Sequence, residues 1–136
     1  MLRFPCLAAV MAVLMAAPAA AQSAADVTFK PGNYGTMLEG AIRGDDYFDY
    51  RLGAKAGQTL FVDLSVDDTN GHGSIYLNVL PPGSDGVAIY NGSMDVDRSE
   101  SILLPETGTY TLRLYLMGND RDAGKTVGYT LDVSIQ

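Results

Sequence analysis

From residue 22 onward, apolar and polar residues alternate along the chain with a period of two. Side chains point alternately to the two faces of a β-strand, so this pattern predicts strands with one buried and one exposed face. No stretch has the 3.6-residue periodicity of a long amphipathic helix. The pattern therefore restricts this part of the chain to an all-β fold.

Clusters of Gly, Asn, Asp and Pro separate the alternating segments and mark chain reversals, as at Gly44-Asp45 and Asn70-Gly71. Their spacing is typical of an antiparallel β-sandwich of about eight to nine strands in a single domain. The predicted strands are Val27 to Lys30, Gly35 to Arg43, Tyr47 to Leu52, Thr59 to Val66, Ser74 to Leu80, Val87 to Tyr90, Ser99 to Leu104, Thr109 to Met117 and Val127 to Ile135.

The alternation also predicts which side chains form the core. On the strand that begins at Tyr47, Phe48 and Tyr50 are expected to point inward and Asp49 outward. The same rule gives the other core residues, which are Leu52, Leu60, Val62, Leu64, Val66, Ile75, Leu77, Val79, Tyr110, Leu112, Leu114, Leu116, Tyr129, Leu131, Val133 and Ile135.

The first 21 residues have the features of a cleavable secretory signal. Arg3 gives a positive start, an apolar run extends from Cys6 to Ala17, and Ala19-Ala20-Ala21 supplies the small residues of a cleavage site. We expect cleavage after Ala21, leaving a domain of residues 22–136. The apolar run is short for a membrane span, so the processed domain is expected in the periplasm or outside the cell, free of the membrane.

The expected domain is acidic and lacks cysteine, because the one cysteine, Cys6, leaves with the leader. The whole chain has 9 basic and 16 acidic residues; loss of Arg3 leaves 8 basic residues and a net charge of −8. Such a charge opposes nucleic-acid binding, and the absence of cysteine excludes disulfides and thiolate chemistry.

The sequence predicts no enzyme. The single histidine, His72, lies between glycines at an expected hairpin tip, and Ser74 is not part of a Gly-x-Ser-x-Gly nucleophile motif. Asp45, Asp46 and Asp49 are expected in an exposed turn and at a strand edge, without the apolar pocket that acid catalysis by a carboxyl group requires.

Asp95 and Asp97 are the candidate ligands of a calcium site, because they and Glu106 imitate the spacing of an EF-hand loop. Glu100 replaces the glycine that this loop requires, and the flanking segments are predicted strands instead of helices. The alternative is a solvated acidic turn, and we expect no cofactor.

Arginine and tyrosine, the residue types that anchor protein interfaces, recur near the end of the chain. Arg113 and Tyr115 are predicted on the outer face of their strand, and Arg121 and Lys125 in the loop that follows. These residues predict a partner-binding surface. The alternative is a solvated face on which Arg113 pairs with a carboxylate such as Asp49 or Asp132.

Four segments together resemble the bacterial pre-peptidase C-terminal domain, a small β-sandwich. They begin at Gly40-Ala-Ile-Arg-Gly-Asp-Asp-Tyr, Ala56-Gly-Gln-Thr-Leu, Leu104-Pro-Glu-Thr-Gly-Thr-Tyr and Gly128-Tyr-Thr-Leu. The combination of a secretory leader, Asn78-Val-Leu-Pro-Pro-Gly83 and Arg113-Leu-Tyr-Leu-Met117 resembles, more closely, the periplasmic inhibitors of goose-type (g-type) lysozyme.

This second resemblance implies that the domain binds g-type lysozyme or a related glycan-cleaving enzyme without turnover or cofactor. A local cation would plug the active-site cleft, where lysozymes carry a carboxylate general acid. The implied contact residues are Arg121 as the plug, Arg113 and Tyr115 behind it, and Lys125, Tyr47 and Tyr90 at the rim.

Two other functions remain open from the sequence. A cell-envelope module could bind glycans such as peptidoglycan through exposed tyrosines, with Tyr47, Tyr76 and Tyr115 as stacking surfaces. An envelope domain stiffened by calcium would instead depend on Asp95 and Asp97.

Overall fold

Nine strands form two sheets that pack face to face in a computed structural model, which describes residues 23–136. The predicted leader, residues 1–21, lies outside the described residues. The elements are β1 (Ala24–Asp26), β2 (Gly35–Arg43), β3 (Tyr47–Ala54), β4 (Thr59–Thr69), β5 (Ile75–Leu80), β6 (Tyr90–Asn91), a 3-10 turn (Gly92–Met94), β7 (Ser99–Leu103), β8 (Gly108–Leu116), α1 (Gly118–Asp122) and β9 (Thr126–Ile135).

The strand order is β1-β3-β8-β5-β6 in the five-stranded sheet and β2-β9-β4-β7 in the four-stranded sheet. The pairings are antiparallel except for the short parallel pair of β1 and β3. The predicted all-β sandwich is therefore confirmed. Strand β8 lies at the centre of its sheet, between β3 and β5.

Three segments differ from the sequence prediction. The first strand lies at Ala24–Asp26 instead of Val27 to Lys30, because its pairing with β3 ends after Asp26. The predicted strand from Val87 is reduced to Tyr90–Asn91, since the Ser84 hydroxyl accepts a hydrogen bond from the Val87 amide at 3.0 Å and holds a turn there. The expected loop after β8 contains the five-residue helix α1.

The predicted core is largely confirmed, because the inward side chains of both sheets meet between them. Phe48 and Val66 are only partly buried, but both pack against this core. At its centre the hydroxyls of Tyr50 and Tyr129 share a hydrogen bond of 2.8 Å that links the two sheets. Burial, reinforced by this bond, raises the pKa of Tyr129, so the Tyr129 hydroxyl keeps its proton and the hydrogen bond is maintained.

Gly40 on β2 accommodates the Tyr129 ring. A Cβ atom at this position would lie 2.6 Å from the Tyr129 hydroxyl oxygen, which is shorter than any van der Waals contact. A larger residue at position 40 would therefore displace the ring that joins the sheets.

Truncation of the core should be costly. Leu112 and Leu131 have no exposed surface, so Leu112→Ala and Leu131→Ala should each lower the free energy of unfolding by about 2–5 kcal/mol through lost burial and a residual cavity. Met37→Ala is the control, because Met37 on β2 is 66% exposed. Urea titration measures all three variants, and a wild-type midpoint for either leucine variant would contradict the assigned packing.

Candidate functional site

The register of β3 and β8 arranges the outer face of the five-stranded sheet. Tyr47 lies opposite Tyr115, and Asp49 lies opposite Arg113. The Arg113 guanidinium donates to both carboxylate oxygens of Asp49, with distances of 2.8 Å from Nε and 3.0 Å from Nη2. It also lies 4.6 Å from the centroid of the Tyr47 ring. The pairing of Arg113 with Asp49, which belongs to the alternative of a solvated face, is thus present, and it fixes this cation in place.

The ion pair changes how Arg113 can act. The Asp49 carboxylate, by accepting these hydrogen bonds, raises the pKa of Arg113 above its ordinary value. To pair with a carboxylate of another protein, Arg113 would have to share or leave Asp49. Arg113 is therefore better placed to support the surrounding surface than to act as a free cation.

Tyrosines dominate the same outer face, and we call Tyr47, Tyr76 and Tyr115 the tyrosine face. Tyr76 on β5 lies opposite Tyr115 on β8, with 6.2 Å between the ring centroids. The Tyr115 hydroxyl donates to the side-chain oxygen of Asn78 at 2.8 Å. Tyr47 is 49% exposed, whereas Tyr76 and Tyr115 are partly buried. The face offers aromatic rings with amide groups beside them.

Arg121 lies in a different setting, on α1. Its side chain is 51% exposed, and its Nε is 3.1 Å from Oδ1 of the adjacent Asp122, which is 67% exposed. Surface pairs of this kind contribute little free energy, because both charges stay hydrated. Arg121 can therefore exchange Asp122 for another carboxylate at small cost.

The turn between β2 and β3 lies between α1, which carries Arg121, and the outer face of the five-stranded sheet. Gly44, with a φ of 59°, donates its N–H to the Lys125 carbonyl at 2.9 Å, which holds the turn against the chain after α1. Asp45 lines one surface hollow with Arg121 and another with Tyr47. The structure thus places Arg121 and Lys125 at the end of the sandwich where the tyrosine face begins.

Asp120 is a residue of this region that the sequence prediction missed. It has no exposed surface and is the buried charged residue of the described range 23–136. Its two carboxylate oxygens accept hydrogen bonds from the backbone N–H groups of His72 and Ser74, both at 2.8 Å. These two bonds lower the pKa of Asp120 below its ordinary value, because they stabilise the ionised carboxylate.

Tyr90 is predicted at the rim of the partner-binding surface, but the structure places its ring against the core. It lies on β6, opposite the buried Val79, and its ring packs against the core. Burial, together with a 3.2 Å hydrogen bond from its hydroxyl to Asp95, raises the pKa of Tyr90 to about 12. The ring is therefore directed between the sheets and away from the tyrosine face. A contact between Tyr90 and a partner remains a prediction.

Asp95 and Asp97 lie in the loop before β7, where the Asp95 carboxylate accepts hydrogen bonds from nearby residues of the same segment. Its carboxylate accepts bonds from the Asp97 N–H at 3.1 Å and from Tyr90. The Asp97 amide lowers the pKa of Asp95, because it stabilises the ionised carboxylate. Across residues 23–136 no three or more His, Cys, Asp or Glu side chains form a group that could hold a metal ion.

None of the helices in this range has the length and apolar character to span a bilayer.

Comparison with solved structures first defines the class of fold. A pre-peptidase C-terminal domain of collagenase from Bacillus anthracis superposes with a TM-score of 0.56 over 86% of this chain and 98% of that chain, at 14% identity. The chain is thus a small β-sandwich with the fold of pre-peptidase C-terminal domains. No family model matches the sequence.

Two relatives define the family. The inhibitor of g-type lysozyme from Escherichia coli strain K12 is 32% identical over 127 residues, which are 93% of this chain and 91% of the relative. The crystal structure of Aeromonas hydrophila PliG, a periplasmic lysozyme inhibitor of g-type lysozyme, has a TM-score of 0.75 at 32% identity over 84% of this chain and 96% of that one. The chain belongs to the family of inhibitors of g-type lysozyme.

The Asp120 interaction should make part of the stability depend on pH. Because the folded-state pKa is lowered, the stabilisation is complete above the ordinary carboxyl pKa of about 4 and is lost as the pH falls through the lower folded value. Asp120→Asn should therefore melt below the wild type at pH 7, and the difference should shrink below about pH 4. Thermal melts across this range measure it, with Asp122→Asn as the exposed control. A difference that is constant with pH would contradict the assignment.

Proposed function

We propose that this protein is a periplasmic inhibitor of g-type lysozyme. Its membership of the inhibitor family supports this function. The relative of known structure is described as periplasmic, which agrees with the secretory leader predicted in the sequence. The partner under this proposal is a g-type lysozyme, and neither a nucleic acid nor a membrane is involved.

The observation that carries the mechanism is the contrast between the two arginines. Arg113 is fixed by two bonds to Asp49 on the sheet, whereas Arg121 projects from α1 and pairs with the exposed Asp122. An exposed cation can enter a cleft and pair there with an acidic group. We therefore assign Arg121 to the cleft and Arg113 with Tyr115 to the surface that supports it.

The proposed inhibitor acts by occupation and has no catalytic activity. The acidic domain would be attracted to a cationic enzyme, and the local cation would then neutralise the carboxylate general acid in the cleft. Each enzyme molecule would be blocked by one domain, so inhibition should be stoichiometric. Lys125, which follows α1, and Tyr47, the most exposed residue of the tyrosine face, would contact the rim of the cleft.

Substitution of the two cations tests this assignment. Arg121→Ala should weaken binding to g-type lysozyme by about 2 kcal/mol or more, because a desolvated contact at the centre of an interface is lost. Lys125→Ala should mainly slow association and reduce its salt dependence, as expected of a rim charge. Lys55→Ala is the control, since Lys55 neighbours Gly108 at the start of β8, away from α1. Binding kinetics and turbidity assays of cell-wall lysis measure these effects.

Other outcomes would change the proposal in defined ways. If Arg121→Ala inhibits like the wild type while Arg113→Ala does not, Arg113 is the inserted cation. If the wild type leaves g-type lysozyme uninhibited, the inhibitor function is wrong.

A second candidate function is binding of peptidoglycan, and the tyrosine face is the observation that favours it. Aromatic rings beside amides are a common arrangement for holding sugars, and here Tyr76, Tyr115 and Asn78 adjoin. Retention of the wild type on insoluble peptidoglycan, lost in Tyr76→Ala and kept in Arg121→Ala, would support this function. Equal retention of all three proteins would oppose it.

We propose that neither calcium nor another cofactor is needed. The Asp95 carboxylate already accepts bonds from Asp97 and Tyr90, which support the loop without an ion. Melting temperature and inhibition should therefore be the same with calcium as with a chelator. A lower melting temperature in chelator that disappears in the double variant Asp95→Asn with Asp97→Asn would show a calcium site there.

A further inference from the structure

The helix that carries Arg121 is too short to be stable alone. Five residues cannot offset the cost of nucleating a helix, so contacts with the rest of the protein must hold α1 in place. Its N-cap residue, Met117, makes no side-chain capping bond. The conformation of the Arg121 backbone therefore depends on what binds α1 from outside.

The segment from Gly71 to Ser74, which precedes β5, is what binds it. The Asp120 carboxylate accepts the His72 and Ser74 amides, and the Ser74 carbonyl accepts the Met117 amide at 3.1 Å. The Asp120 carbonyl in turn accepts the Lys125 amide at 2.9 Å. Asp120 thus connects α1 to a segment 46–48 residues away in the sequence.

Gly71 confirms how closely the two segments fit. A Cβ atom at Gly71 would overlap the Asp120 carboxylate and would lie 3.0 Å from the Lys125 Cβ. Glycine at this position lets the segment approach close enough for both amides to reach the carboxylate.

We propose that Asp120 is a positioning residue, which holds α1 against the segment from Gly71 to Ser74 and thereby presents Arg121 in its binding orientation. This inference rests on the proposed inhibitor function. A cation held in place before binding avoids the loss of conformational entropy that a mobile loop would suffer on complex formation. Asp120 itself is buried and would not touch the lysozyme.

The replacement Asp120→Asn tests the proposal, because an amide group cannot accept both backbone bonds as the carboxylate does. The variant should bind g-type lysozyme about tenfold more weakly, mainly through faster dissociation. Asp68→Asn is the matched control, since it makes the same charge change at an exposed position. Its affinity should equal that of the wild type.

A double-mutant cycle separates positioning from a general loss of stability. If Asp120 acts through Arg121, then Asp120→Asn should have no further effect on affinity in the Arg121→Ala background. Equal losses in both backgrounds, or no loss in the wild-type background, would overturn the proposal. Failure of the wild type to bind lysozyme would instead overturn the inhibitor function, so the two failures are distinguishable.

If Asp120→Asn does not fold, as judged by circular dichroism, Gly71→Ala replaces it in the same cycle. This variant keeps the charge of Asp120 but forces the two segments apart. The same non-additive loss of affinity supports the proposal, and additive losses overturn it.

Discussion

The alternation of side chains along β8 is the constraint on which both the core and the candidate site depend. Leu112 and Leu114 have no exposed surface and pack between the sheets. Arg113, which lies between them in the chain, and Tyr115, which follows them, point to the outer face. A slip of one residue would exchange the two faces and bury a charge. The apolar residues that hold the sandwich together therefore also fix Arg113 opposite Asp49, and they determine where the chain leaves the sheet to form α1.

The two arginines show how the same residue type can serve different purposes over a short stretch of chain. On β8 the Arg113 guanidinium bonds both oxygens of Asp49 and lies against the Tyr47 ring, so its strongest interactions are made within the protein. On α1 the guanidinium makes its ion pair with an exposed carboxylate, Asp122. In a domain with an expected net charge of −8, such an exposed cation is a local exception that favours an acidic target, while the surrounding field favours a cationic partner.

The strands and the core could be predicted because a period of two is a local signal that burial confirms residue by residue. The start of β1 could not, since a three-residue parallel strand is defined by its partner β3 and not by its own pattern. Helix α1 is too short for a helical period to appear. Asp120 was missed for a related reason: its role depends on amides 46–48 residues away, although an acidic residue flanked by turn-forming Gly118 and Gly124 was visible in the sequence.

Two carboxyl groups with shifted pKa values, Asp95 and Asp120, are held in the ionised form. A general acid at neutral pH needs a raised carboxyl pKa, which burial in an apolar pocket provides. In the described part of this chain, the pKa values of Asp95 and Asp120 are both shifted downward by backbone amides that bond the ionised form. These carboxylates stay charged and hold loops in place. Under the proposed function, the loops that these two carboxylates hold would keep the shape of the domain fixed before it meets the lysozyme.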